Sequence, residues 1–253
     1  MDSRKAFLQI DRAKVSYKYD GIDIPILEDF SCNFEGGKIY VLMGPNGCGK
    51  STLLKLIIGE LELSSGTVEF KLGGEVALPC IDYIPQNYRD ALFPWKKVSN
   101  NVWPWKARNN RCSVDTDIPR RVEISLEKLG LSKFSGRYPY ELSGGQQQAI
   151  LLARSIAANS TLIIMDEPFS ALDVVKRTRV ADLLREEWMS RSRIVICAMH
   201  EPDEAAVIAD GVLLLDGPVL RIVDAIVRDP NVSIEDFRKN IAGTVNRLAK
   251  KGG

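Results

Sequence analysis

This sequence has no surplus of either charge, no closely spaced pair of cysteines and no long apolar run. Its 34 basic and 33 acidic residues nearly cancel, which argues against a nucleic-acid partner and against binding to an anionic membrane surface. No segment approaches the roughly 18 uninterrupted apolar residues of a membrane span, and no apolar run follows residues 1–5 as a secretory signal would require. We therefore expect a cytoplasmic chain that is soluble by itself.

Cysteine usage gives a similar indication about compartment. The five cysteines, an odd number without a CxxC pair, are Cys32, Cys48, Cys80, Cys112 and Cys197. This pattern favours reduced thiols over a disulfide framework or a zinc site. At 253 residues the chain is long enough to bury a hydrophobic core without covalent or metal support.

A glycine-rich stretch separates two apolar runs, 39–43 and 53–58, and so predicts a strand, a loop and a helix in that order. It matches the pattern G-x-x-x-x-G-K-[ST] and consists of Gly44, Pro45, Asn46, Gly47, Cys48, Gly49, Lys50, Ser51 and Thr52. Backbone N–H groups of such a loop bind phosphate, aided by the positive end of the following helix. We expect Lys50 to reach the β- and γ-phosphates of a nucleotide and Ser51 to hold Mg²⁺. An accidental glycine-rich turn is the alternative.

Residues ahead of this loop predict a small antiparallel sheet. Two short strands, Phe7–Ile10 and Ala13–Tyr17, are followed by a turn at 19–21 and by a third strand. Tyr19 lies shortly before the phosphate loop, where an aromatic ring can stack on adenine, and Tyr17 competes for that role. Either tyrosine can instead pack on the sheet edge, and the pattern alone does not separate these interpretations.

A second anion site is predicted at Ser143-Gly144-Gly145, directly ahead of a helix expected over 149–158. A serine hydroxyl, bare backbone amides and the positive end of a helix dipole all favour a negatively charged group. The same residues also fit an ordinary helix cap without a ligand.

Two buried strands are predicted to end in polar side chains. The apolar run 161–165 leads into Asp166 and Glu167, and a second run leads into His200, the only histidine. Carboxylates at the tip of a buried strand are costly unless they face a cation. We therefore expect Asp166 to bind Mg²⁺ and Glu167 to orient or deprotonate an attacking water. We expect His200 near the γ-phosphate, because open α/β sheets bind ligands at the carboxyl ends of their strands.

The order of these motifs, from about Phe7 to Val223, resembles the nucleotide-binding subunit of an ATP-binding cassette (ABC) transporter. The matching motifs are Walker A at Gly44–Thr52, the Q-loop at Gln86, the signature Leu142-Ser143-Gly144-Gly145-Gln146, Walker B ending at Asp166-Glu167, the D-loop Ser170-Ala171-Leu172-Asp173 and the switch histidine His200. The resemblance implies an α/β P-loop NTPase fold: a RecA-like mixed sheet core, an N-terminal antiparallel β subdomain and an inserted α-helical subdomain. The implied boundaries are 1–88 and 158–225 for the core with its β subdomain, 89–157 for the helical subdomain and 226–253 for a helical tail.

The same resemblance implies that two copies pair head to tail, with each ATP between the phosphate loop of one copy and the signature loop of the other. Besides Walker A, the residues implied to bind the nucleotide are Tyr19, Gln86, Ser143, Gly144, Gly145, Gln146 and Asp173. Those implied to bind Mg²⁺ are Ser51, Gln86 and Asp166, and those implied to be catalytic are Lys50, Glu167 and His200.

The segment Gln86–Val102 resembles the corresponding stretch in cassettes of nitrate, sulfonate and taurine importers, which carry an aromatic Pro-Trp here. The resemblance implies docking of transmembrane permease subunits, an indirect role for a substrate-binding protein and a peripheral location on the inner face of the cell membrane. Alternatively, Phe93 and Trp95 pack the helical subdomain on the core. The alternative functions are a soluble ABC ATPase without a transport role and the cassette of an exporter.

Two positions near the predicted nucleotide sites bear on activity. Gln147 stands where the family usually has a basic residue, so a charge near the opposite phosphate is missing and the resemblance leaves the turnover rate open. Cys48 lies near amides and Lys50, which favour a thiolate, so we expect thiol reagents to inactivate the protein and ATP to protect it. In the tail, Ser233 is expected to cap a helix whose apolar stripe packs on the chain's own surface.

Overall fold

The computed structural model describes residues 5–103, 117–158, 160–172, 174–189 and 193–251. Cys112 and Asp173, both named above, lie outside these ranges. The strands are β1 (Ala6–Tyr19), β2 (Ile22–Glu35), β3 (Lys38–Met43), β4 (Ser65–Leu72), β5 (Glu75–Val76), β6 (Ile81–Ile84), β7 (Leu162–Asp166), β8 (Ile194–Ala198), β9 (Gly211–Asp216) and β10 (Arg221–Val227). The α-helices are α1 (Lys50–Ile57), α2 (Val98–Val102), α3 (Ile118–Lys128), α4 (Gly144–Ala157), α5 (Val174–Met189), α6 (Pro202–Ile208) and α7 (Ile234–Lys251). Within the described ranges, no helix is both long and apolar enough to cross a membrane.

A six-stranded sheet forms the centre of the molecule, with strand order β10-β9-β3-β8-β7-β6. Neighbouring strands from β9 to β6 are parallel, whereas the edge pair β10 and β9 is antiparallel. Every residue of β7 and β8 is buried, as their continuous apolar sequences predict for strands covered on both faces. The parallel strands all end at one edge, where the phosphate loop follows β3, Glu167 follows β7 and His200 follows β8.

Each face of this sheet packs against a different layer. Val41, Met165 and Cys197 belong to one buried cluster, which they share with residues of α4, α5, α6 and α7. The intervening positions, such as Leu42 and Ile164, belong to a second cluster with residues of α1, β1 and β2. The alternation of side chains along a strand therefore produces two cores on opposite sides of the sheet.

A second sheet has four antiparallel strands in the order β2-β1-β4-β5. The two short strands expected at its start are one strand, β1, whose pairing is irregular after Ile10, where Arg12 has a positive φ of 46°. The predicted turn is confirmed: Asp20 and Gly21 join β1 to β2 with φ values of 49° and 80°, the left-handed pair that Asp-Gly hairpins adopt.

Between β6 and β7 the chain forms α2, α3 and α4, with 3₁₀ turns at Tyr88–Ala91, Ser132–Phe134 and Pro139–Glu141 among the described residues. The predicted start of α4 at residue 149 is wrong, since the helix already begins at Gly144. The reason is a cap: Ser143 Oγ accepts a hydrogen bond of 3.4 Å from the N–H of Gln146. Both glycines of the signature therefore lie in the first turn of the helix.

The tail helix α7 packs against α6, the helix that follows His200. Phe237 and Ile241 are buried in the helical core, and Arg238 forms an ion pair of 3.2 Å with Asp203 of α6. The prediction that the tail packs on the chain's own surface is confirmed.

Candidate nucleotide site

The phosphate loop lies between the end of β3 and the start of α1. Gly47 and Gly49 have positive φ values of 80° and 106°, a conformation that other L-residues adopt only at a cost. Gly44 is required for a different reason, because a Cβ there would lie 2.3 Å from the carbonyl oxygen of Leu215. The loop is thus bent by two glycines and pressed against β9 through a third.

Lys50, the first residue of α1, is only 7% exposed. Its Nζ donates hydrogen bonds to the carbonyl oxygens of Gly44 at 2.7 Å and Pro45 at 3.0 Å. These bonds hold the side-chain nitrogen of Lys50 against the backbone of the phosphate loop. A phosphate placed in the loop would therefore meet both this ammonium and the N-terminus of α1.

Ser51 and Asp166 meet beside the lysine. Ser51 Oγ donates a hydrogen bond of 2.9 Å to Asp166 Oδ2, which joins α1 to the end of β7. Burial raises the pKa of Asp166, and the hydrogen bond from Ser51 opposes this shift. A hydroxyl and a carboxylate are ligands that Mg²⁺ prefers.

The donor set around Asp166 fits an ion that takes its remaining ligands from water and phosphate. Within the described ranges, no cluster of three or more His, Cys, Asp or Glu side chains could hold a metal by itself. Mg²⁺ typically binds one or two protein oxygens together with nucleotide phosphates, rather than an all-protein cage. Ser51 and Asp166 therefore suit Mg²⁺ that arrives with a nucleotide.

Glu167 and His200 form a second pair at the same sheet edge. Glu167 Oε1 lies 2.8 Å from His200 Nε2, and the N–H of Glu167 donates to the carbonyl oxygen of Ala198 at 3.0 Å. Glu167 has a φ of 51° although it carries a side chain. Such backbone strain is stored at functional sites more often than elsewhere.

These groups surround one cleft of about 430 Å³. Its lining consists of Asn46, Gly47, Gly49, Lys50, Ser51, Thr52, Gln86, Asp166, Glu167 and His200. Residues from four separate parts of the sequence are therefore brought together in one cleft. Gly44 and Pro45 do not line the cleft, but their carbonyl oxygens accept the hydrogen bonds from Lys50.

For Cys48 of the loop, the expectation of a thiolate is wrong. Its side chain is only 1% exposed, and this burial raises the pKa of the thiol despite the opposing effect of Lys50. The residue therefore packs under the loop as a neutral thiol. The expectation of five reduced thiols is also wrong, because Cys80 is disulfide-bonded, whereas Cys32, Cys48 and Cys197 are free.

The signature residues lie outside this cleft. Ser143 is exposed, and its N–H donates a hydrogen bond of 2.9 Å to Gln146 Oε1. A Cβ on Gly144 would lie 2.7 Å from the Tyr88 hydroxyl, and one on Gly145 would lie 3.0 Å from the Ala171 carbonyl oxygen. The two glycines thus let the start of α4 approach the segments that follow Gln86 and Glu167.

Comparison with known proteins agrees with this architecture. Residues 27–170 match the family model described as ABC transporter. The taurine import ATP-binding protein TauB of Shigella dysenteriae serotype 1 is 32% identical over 89% of this chain and 85% of its own length, as is TauB of Escherichia coli strain K12. The chain belongs to the ABC transporter family.

Solved structures of ABC cassettes share the fold. The dimeric cassette MJ0796, bound to ADP and Pi, superposes with a TM-score of 0.74 at 23% identity and covers 88% of this chain and 99% of its own. The ATP-binding subunit of another ABC transporter gives a TM-score of 0.74 at 20% identity, covering 93% of this chain and 99% of its own. This ABC ATPase therefore has the expected P-loop NTPase fold.

Tyr19 of the ABC cassette is 68% exposed at the tip of the β1–β2 hairpin. Ile26 of the same hairpin lies beside the phosphate loop, since a Cβ on Gly49 would lie 3.2 Å from its side chain. Tyr17 lies two residues before Tyr19 on β1 and is 41% exposed. Both tyrosines thus present exposed ring surface on this hairpin, and the choice of Tyr19 for adenine stays a prediction.

The segment after Gln86 carries exposed aromatic surface, and a buried asparagine holds its backbone. The rings of Phe93 and Trp95 lie 5.8 Å apart, and Trp95 is 70% exposed. Asn101, which is fully buried, holds the segment through hydrogen bonds to the backbone of residues 93, 96 and 97. At the start of α4, Gln147 donates a hydrogen bond of 3.0 Å to the Leu142 carbonyl oxygen and so joins the helix to the first residue of the signature.

Sequence reasoning missed two residues of this cassette that bridge its motifs. Gln148 and Arg154 are polar side chains on the buried face of α4. Gln148 contacts the loop after β7, and Arg154 donates to the carbonyl oxygens of Asn101 at 2.8 Å and Ala91 at 3.1 Å. The available signal was a polar residue at a helix position where the apolar pattern calls for a hydrophobic one.

Proposed function

We propose that this ABC ATPase is the energy-coupling subunit of an importer for a small anion such as taurine, a sulfonate or nitrate. The observation that carries the ATPase role is the convergence of Lys50, Ser51, Asp166, Glu167 and His200 on one cleft. The importer role is supported by 32% identity to taurine import ATP-binding proteins over most of both chains.

The contacts around the cleft support specific roles in ATP hydrolysis. Lys50 and the loop amides bind the phosphates, while Ser51 and Asp166 hold Mg²⁺, with Gln86 at the rim of the cleft. When bound, Mg²⁺ neutralises charge on the β- and γ-phosphate oxygens. Tyr19 stacks on the adenine.

Glu167 accepts a proton from the attacking water, or orients it, so that water oxygen bonds to the γ-phosphorus as the bond to ADP breaks. His200, whose Nε2 lies 2.8 Å from Glu167 Oε1, fixes the direction of that carboxylate and would lie at the γ-phosphate side of the cleft. The products are ADP and inorganic phosphate.

The complete site needs a second copy of the chain. Ser143, Gly144, Gly145 and Gln146 are exposed or half-buried and lie outside the cleft, which suits contact with the nucleotide of a partner. Asp173 then links the two sites. ATP bound between two copies would hold them together, and its hydrolysis would release them.

Permease subunits would dock on the segment Gln86–Val102, where Trp95 offers an apolar anchor for a short helix. The substrate-binding protein acts through those subunits, and the cassette is cytoplasmic and peripheral to the inner face of the membrane.

The chain divides into three parts in this proposal. Residues 1–88 and 158–225 form the catalytic core, residues 89–157 form the helical subdomain, and residues 226–253 form the tail.

Replacing Glu167 by Gln tests the catalytic role. The variant should bind ATP, lose turnover and accumulate as an ATP-bound dimer in size-exclusion chromatography. Glu62→Gln is a matched control, because Glu62 is exposed and outside the cleft. Wild-type turnover by the Glu167→Gln variant would refute the assignment, and uptake of labelled taurine by vesicles holding the cassette with its genetically neighbouring permease would test the cargo.

A further inference from the structure

Gln148 is buried in a part of α4 that is otherwise apolar. It is 1% exposed, and the residues that follow it, Ala149 to Leu152, are all buried hydrophobic residues. Burying a primary amide is unfavourable unless its hydrogen-bonding groups find partners. The partners of Gln148 therefore indicate why a polar residue stands here.

Within the part of the chain that the structure describes, the partners of this amide lie in the five residues that start with Glu167. Gln148 Nε2 donates to the Glu167 carbonyl oxygen and to Ser170 Oγ, each at 3.3 Å, and Oε1 accepts from the N–H of Ala171 at 2.9 Å. The Ala171 N–H can only donate and the Glu167 carbonyl can only accept, so these contacts also fix which end of the amide is nitrogen. A single side chain thus spans the catalytic loop from one end to the other.

Glu167 needs such support because its backbone is strained. A left-handed φ is strained for a residue with a side chain, and the φ of Glu167 is 51°. Its N–H is held by Ala198 and its carbonyl oxygen by Gln148. These two bonds fix the peptide planes on both sides of Glu167, and so the direction in which its side chain leaves the backbone toward His200.

We propose that Gln148 is a positioning residue that keeps the carboxylate of Glu167 in place for catalysis. This inference rests on the proposed role of Glu167. Gln148 does not contact the nucleotide cleft itself, so it acts through the loop. Because α4 begins at the signature glycines, Gln148 also connects the helix proposed to contact the partner copy's nucleotide to the loop that carries Glu167.

The test uses Gln148→Met, which keeps the length of the side chain and removes its hydrogen bonds. We expect kcat for ATP hydrolysis to fall about 10- to 100-fold, since small misplacements of a catalytic group have effects of that size. KM for ATP, and the affinity for a fluorescent ATP analogue, should stay within about 3-fold because the phosphate loop is untouched. Gln148→Asn, which keeps the amide but cannot reach both ends of the loop, should give an intermediate kcat and covers the case in which the Met variant does not fold.

Ser155→Ala is the matched control on the same helix. Ser155 is also buried, but among the described residues its Oγ bonds within α4, to the Leu152 carbonyl oxygen at 2.8 Å. A purely structural role for Gln148 predicts a lower melting temperature with kcat and KM as in this control, and that result would overturn the inference. If Glu167→Gln itself retained turnover, the proposed function would fail instead, so the two failures are distinguishable.

Discussion

Replacing Asn101 by Ala removes a buried polar clamp beneath the segment that carries Trp95. Asn101 is 0% exposed. Its Oδ1 accepts from the Phe93 N–H at 2.8 Å, and its Nδ2 lies 3.0, 2.9 and 3.2 Å from the carbonyl oxygens of Phe93, Lys96 and Lys97. One side chain thus ties the first turn of α2 to the residues that precede it.

The expected loss of stability follows from the number of bonds that one amide can make. An NH₂ group has two hydrogens, so the three Nδ2 contacts amount to about two full bonds, and Oδ1 adds one. At about 1 kcal/mol net for each bond, Asn101→Ala should lower the free energy of unfolding by about 3 kcal/mol. For a chain of this length, that loss corresponds to a melting temperature roughly 6–12 °C lower.

Urea unfolding followed by tryptophan fluorescence measures this loss, with Asn87→Ala as the control. Asn87 is exposed and makes a single side-chain bond, to Asp90 Oδ2 at 2.7 Å, so its replacement should cost less than about 1 kcal/mol. If the two variants were equally stable, the clamp would contribute nothing and the reasoning would fail. Asn101→Asp adds a sign test: a buried carboxylate facing carbonyl oxygens should have a raised pKa, so stability should recover as pH falls through it.

Two further outcomes follow from the phosphate loop. Gly44→Ala should lower the free energy of unfolding by more than about 2 kcal/mol, because its Cβ would overlap the Leu215 carbonyl oxygen. Gly47→Ala should lower it by about 1 kcal/mol, because a Cβ there meets open space but the φ is 80°. Equal losses in urea titrations would contradict the packing argument. Cys48 should react with a maleimide far more slowly in the folded than in the guanidinium-unfolded protein. In the folded protein the rate should still rise through about pH 9, because the pKa of the thiol is raised. Equal rates by mass spectrometry would show that burial does not protect the thiol.

The central sheet and its site edge could be predicted because their signals are local. Continuous apolar runs mark β7 and β8, and a run that ends in carboxylates marks a site as well as a strand. The phosphate loop is equally local, since its glycines, lysine and hydroxyl are adjacent in sequence. Parallel strands then bring Glu167 and His200 together without any further information from the sequence.

The failures have different physical causes. Whether Cys48 is a thiolate is decided by burial against β9, and nothing in the neighbouring sequence reports that distance. The partners of Gln148 lie 19 to 23 residues away along the chain, beyond any local pattern. The start of α4 was misplaced because two glycines look like a loop until the cap at Ser143 is seen to absorb them.

Contacts along helix α4 include, in chain order, Gly145 against Ala171, Gln148 against Glu167, and Arg154 against the Ala91 and Asn101 carbonyls. Its 14 residues span about 20 Å of stiff, internally bonded backbone. Because these contacts lie on one helix, a rigid-body tilt of α4 would move both the catalytic loop and the Trp95 segment. Under the proposed docking of a permease on that segment, hydrolysis and docking would be connected through a single helix.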